Sequence, residues 1–62
     1  MYPKTLEKLI ESFRVLPGVG QKTAERYAMH ILEQDDQRIK DLSEDLVNAK
    51  ENIKECEICH NL

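Results

Sequence analysis

Apolar and polar positions along this chain fall into three runs with helical spacing. Leu6, Leu9, Ile10 and Phe13 recur at i, i+3, i+4 and i+7, and Lys4, Glu7, Lys8 and Glu11 fall largely on the opposite face. That spacing predicts a helix over about Lys4–Arg14. Pro3 is acceptable at its start, where an amide hydrogen would have no partner in any case. Tyr2 could pack on Leu6 or on a later helix, and the pattern does not choose. A second run places Ala24, Tyr27, Ala28, Ile31 and Leu32 on the inner face of a helix over about Gln21–Glu33. Small side chains at Ala24 and Ala28 predict close approach by a neighbouring helix, with Leu16 and Val19 closing the end of the same core.

The third run is the longest. Ile39, Leu42, Leu46, Ala49 and Ile53 alternate at spacings of three and four, with Val47 beside them, and no Gly or Pro interrupts a helix over about Asp36–Lys54. Asp35 or Asp36 caps its start, since a carboxylate there accepts from free amides. Such a stripe either forms the third wall of a core or continues into a partner chain. Its other face, with Lys40, Asp41, Glu44, Asp45 and Glu51, reads as solvated surface. The expectation is an all-α, small three-helix domain over residues 1–54.

Between the first two runs lies Leu16-Pro17-Gly18-Val19-Gly20, which holds both glycines and one of the two prolines of the chain. Pro17 presets φ for the second position of a tight turn, and Gly18 supplies the positive φ that a type II turn needs next. Val19, apolar between two glycines, is expected to turn inward. Gly20 opens the second helix, whose first amides have no intrahelical partner and carry the positive end of the helix dipole. An anion such as phosphate suits that position, and the two glycines let it approach the backbone. Lys22 and Arg26, four apart, share one face, and Thr23 adds a hydroxyl donor. Arg14 and His30 are weaker candidates. Gly20-Gln21-Lys22-Thr23 touches the nucleotide-binding P-loop pattern but fails it, because Leu16 and Gln21 stand where glycines are required and a helix precedes the turn.

Composition bounds these readings. Sixty-two residues with one Phe, two Tyr and no Trp make a single small domain with a core of aliphatic side chains and no room for a deep enzyme cleft. No apolar run suits a signal peptide or a membrane span, so a soluble intracellular protein is the default. The net charge of −3 argues against a simple DNA binder. Its distribution softens that objection: residues 1–32 carry a net +2 and residues 33–62 a net −5. Charge acts over only about 8 Å at physiological salt, so the local patch counts for more than the total. Adjacent carboxylates such as Asp35 with Asp36 read as a cap, and His30 lacks a nucleophile partner, so no catalytic role is expected.

Cys56 and Cys59 stand in a C-x-x-C pair beside His60. Two thiolates supply half of a structural zinc site, which usually has four ligands. A redox reading would prefer a thioredoxin-like βαβ context, which this pattern lacks. With no second pair in the chain, the expectation is a fragment cut inside a metal-binding segment over residues 55–62, with both cysteines free thiols and no metal held here; the alternative is partial metal binding completed by His60 or by a second chain.

The hairpin resembles the helix-hairpin-helix motif, a nonspecific DNA-binding element. The wider series of Tyr2-Pro3, Leu9-Ile10, the hairpin with Lys22-Thr23-Ala24 and Arg26, Leu46-Val47-Asn48-Ala49-Lys50 and Cys56-Glu57-Ile58-Cys59 resembles the N-terminal part of the RecR family of bacterial recombination-repair mediators. The resemblance covers essentially the whole chain. It implies a cytoplasmic, nucleoid-associated module that binds the DNA sugar-phosphate backbone, with Lys22 and Arg26 matching the family's DNA contacts, and the hairpin itself adds Gly18, Val19, Gly20 and Thr23 to that site. The resemblance further implies a ring-like homo-oligomer, RecO and RecF as partners in loading recombinase, and a four-cysteine zinc finger opened by Cys56 and Cys59, with Zn²⁺ in the full-length protein. The competing expectation is an oligomerisation or dimerisation module whose hairpin is only a structural turn.

Overall fold

The computed structural model describes residues 2–53, which form three α-helices: α1 (Lys4–Arg14), α2 (Gln21–Glu33) and α3 (Asp36–Asn52). The first two fall where the apolar spacing places them. The third ends at Asn52, with Ile53 already extended at φ −96° and ψ 108°. Pro3, at φ −56°, leads into α1, and its carbonyl accepts the first helical bond from the Glu7 amide at 3.0 Å. Only Gln34 and Asp35, both extended, separate α2 from α3. Of the two candidate caps it is Asp35 that acts, its carboxylate accepting from the Arg38 amide at 2.8 Å.

Burial is concentrated where α1 meets α2. Ile10, Ala24 and Ala28 are buried, with Leu6, Leu9, Phe13 and Val19 packed around them. Both alanines are 0% exposed, and their small side chains suit the close approach of α1 to α2. Burying Ile10 contributes on the order of 1.5–3 kcal/mol, a large share of the stability of so small a core.

A sealed three-helix core is not what these helices make. α3 has no buried residue, and Leu46 on its apolar stripe is 64% exposed. Ile39, Leu42 and Leu46 instead wall one side of an open apolar groove against Leu9, Phe13, Leu16 and Ile31. Three residues expected in the core are consequently exposed: Leu16 at 48%, Tyr27 at 45% and Leu32 at 60%. At about 100° per residue, Tyr27 and Leu32 lie roughly 70° to either side of the direction in which Ala24 and Ala28 point. A single covering helix buries the centre of that arc and leaves its flanks in water. Among the described residues, no helix is long and apolar enough to cross a membrane.

Candidate functional site

The connection between α1 and α2 begins with the Leu16 amide donating to the Phe13 carbonyl at 3.1 Å. The Val19 amide then donates to the Leu16 carbonyl at 3.2 Å, closing a four-residue turn with Pro17 and Gly18 at its centre. Gly18 has φ +79°, the sole positive φ among the described residues, as a type II turn requires at that position. Val19 is half-buried against Ile10, Ala24 and Ala28, so the hairpin is pinned to the core by its central side chain.

Gly20 caps α2 from extended backbone, φ −89° and ψ −172°, and its carbonyl accepts from the Ala24 amide at 2.9 Å. No side chain caps this start, and its first turn contains no acid. At α3 the same positions carry the Asp35 cap and Asp36. A Cβ added at Gly18 or Gly20 would meet nothing within 4 Å. Gly18 is explained by its φ. Gly20 is explained neither by φ, which any residue adopts, nor by packing. What its missing side chain leaves is open access from outside to the amides of Gln21, Lys22 and Thr23.

Lys22 and Arg26 are exposed on the side of α2 nearly opposite Ala24 and Ala28, and Thr23 is half-buried beside them. Among the described residues the one ion pair is Arg14–Glu11 at 3.3 Å, so Lys22 and Arg26 remain available to an external anion while Arg14 is engaged. Glu25, the acid closest in sequence, accepts from the Gln21 side-chain Nε2 at 2.7 Å, which leaves the Gln21 backbone amide out of that bond. His30 shares a hydrogen bond with Gln34 at 3.2 Å.

Beside these cations runs an open groove lined by Tyr2, Phe13, Lys22, Arg26, Tyr27 and His30, with Glu25 and Glu33 also on its wall. Tyr2 lines this groove together with residues of α2. Tyr27 meets Phe13 edge to face, with ring centroids 5.7 Å apart and planes at 80°. Spacing assigned Tyr27 to the core. Its position at the edge of the apolar arc, next to the Lys22–Arg26 strip, is the signal that could have shown otherwise.

Cys56, Cys59 and His60 lie outside the described residues. Among the described residues no group of His, Cys, Asp and Glu side chains is placed to hold a metal ion.

The family model described as "RecR, helix-hairpin-helix" matches residues 6–50, which include most of α1, all of α2 and most of α3. Over 61 residues the chain is 44% identical to Recombination protein RecR of Lactococcus lactis subsp. cremoris, covering 98% of this chain and 31% of that protein. The corresponding protein of Lactococcus lactis subsp. lactis gives the same identity and coverage, 44% over 61 residues. The chain thus spans about a third of the length of the curated relatives it matches.

Proposed function

This chain belongs to the RecR family, and from that premise we propose that it is a DNA-binding module that grips the sugar-phosphate backbone without reading sequence. The observation that carries the proposal is the uncapped, unobstructed start of α2, flanked by two cations that make no ion pair among the described residues. A phosphate oxygen seated before Gly20 accepts from the first amides of α2, with Lys22 and Arg26 adding charge and Thr23 a hydroxyl. Gly18 and Val19 hold the turn in place. No group in this arrangement reaches a base edge in a duplex groove, so affinity follows charge and salt, not sequence.

In the whole protein we place this module, over residues 1–54, within a bacterial, cytoplasmic recombination mediator that acts with RecO and RecF to help load recombinase. Its role there is to bind, not to catalyse. One acidic module binds weakly, and several hairpins displayed on a ring-like homo-oligomer would raise affinity by acting on the same DNA. Cys56 and Cys59 have the donor chemistry for half of a tetrahedral Zn²⁺ site, whose remaining ligands would come from the rest of the protein. The second reading, self-association, is favoured by the uncovered stripe of Leu42, Leu46, Val47 and Ile53, and it is compatible with DNA binding elsewhere on the surface.

The test is the salt dependence of binding to unrelated duplexes. Each phosphate contact contributes about 0.9 to the slope of log K against log salt, so Lys22→Ala with Arg26→Ala should lower that slope by about 1.8. Helical content should not change, since both side chains are exposed. An unchanged slope would remove the two residues from the interface.

A further inference from the structure

We propose that Tyr27, with the Lys22–Arg26 strip beside it, forms a subsite for one unpaired base of single-stranded DNA. The inference rests on the backbone-binding reading above and adds to it a contact that only an unpaired base can make. Tyr27 is 45% exposed although it stands in the middle of α2. Its edge-to-face arrangement with Phe13 occupies at most one face of the Tyr27 ring, because perpendicular rings present an edge to a face and not face to face. Tyr27 lines the same groove as Lys22, Arg26 and Tyr2, a groove whose wall also carries Glu25 and Glu33. Phe13, half-buried in the core, braces the ring, so little freedom is lost when a base lies on it.

The reach is suitable. Tyr27 follows Gln21 by six residues, about 9 Å along the helix axis, and Arg26 lies between it and the amides that would hold a phosphate. A strand held by its backbone at the start of α2 can therefore turn a neighbouring base onto Tyr27. A duplex keeps its bases stacked on one another and offers the ring no face. Base stacking on an aromatic side chain tolerates every sequence, which agrees with a module that otherwise reads only backbone.

The experiment compares a blunt duplex with a single strand of the same length, using Tyr27→Leu, Tyr27→Trp and the Lys22→Ala/Arg26→Ala pair, with circular dichroism to establish folding. Tyr27→Leu should lose affinity for the single strand by roughly tenfold or more while changing duplex affinity by less than about twofold. Tyr27→Trp should keep the affinity, and its indole, in a chain with no other Trp, should be quenched by the single strand. Equal losses on both DNAs, or no loss on the single strand by a folded Tyr27→Leu, would overturn the subsite. If Tyr27→Leu does not fold, the indole decides: emission unchanged at saturating single strand overturns the proposal, and quenching supports it. Failure of the parent reading looks different, because the Lys22→Ala/Arg26→Ala pair would then bind both DNAs as tightly as the unaltered chain. Absence of binding to either DNA would refute both.

Discussion

Gly20→Asp should make the protein more stable and a worse DNA binder at once. Gly20 already has the extended backbone of a helix cap, φ −89° and ψ −172°, close to the φ −74° and ψ 162° of Asp35, and a Cβ there meets nothing within 4 Å. An Asp at position 20 can thus reproduce the bond seen at α3, where the cap carboxylate accepts from an amide three residues on at 2.8 Å. Asp exceeds Gly as a cap by a few tenths of a kcal/mol, and a carboxylate at the positive end of the dipole adds about 0.3–1 kcal/mol at low salt. A total of about 0.5–1 kcal/mol corresponds to a rise in Tm of roughly 2–8 °C for a domain of this size. That same carboxylate sits where the phosphate would sit. Two like charges about 4 Å apart repel by about 1 kcal/mol in water and about 4 kcal/mol near a protein surface, so affinity should fall at least fivefold. Thermal denaturation and fluorescence anisotropy with a labelled duplex measure the two effects. Gly20→Asn separates them, since it caps without charge and should bind better than Gly20→Asp. A rise in Tm with duplex affinity unchanged would refute the phosphate site and leave the hairpin as a turn alone.

Two further predictions concern the frame that holds the hairpin. Gly18→Ala should destabilise the fold by about 1–2 kcal/mol, because φ +79° is costly for a residue with a Cβ even though the space around it is open; thermal or urea denaturation measures the loss. Ala28→Leu should cost about 1–3 kcal/mol or separate α1 from α2, since the methyl is wholly buried between them; a variant as stable as the parent would mean the contact is looser than described.

The helices were legible in the sequence because the features that end them are unambiguous. Pro17, Gly18 and Gly20 are clustered in one place, and the apolar spacing on either side has the helical period. The Gly18 φ and the inward turn of Val19 follow from the same short stretch. Burial was less legible, because it depends on what covers a face as well as on which residues make it. Ala24 and Ala28 at the centre of the α2 arc are buried by α1 alone. Tyr27 and Leu32 on its flanks would need a second neighbour, and α3 does not supply one. The stripe on α3 has the same origin: its spacing is that of a packed face, and within this chain only Ile39 at its start is half-buried. The choice between Asp35 and Asp36 as cap was closed only by the extended backbone at Asp35. At the site, the uncapped start of α2 could be read from Gly20 and the lack of an acid in the next turn. That among the described residues Lys22 and Arg26 make no ion pair while Arg14 does is a matter of side-chain geometry, and the sequence places acids near all three.

Whether the start of α2 holds a DNA phosphate can be read from an amide NMR titration with a short duplex at low and moderate salt. A phosphate seated there should give a folded spectrum in which shifts concentrate on Gly18 to Arg26, largest at the Gln21, Lys22 and Thr23 amides, and shrink as salt is raised. Shifts confined to the α3 stripe, or a folded spectrum in which the Gly18 to Arg26 amides do not move at low salt, would contradict it.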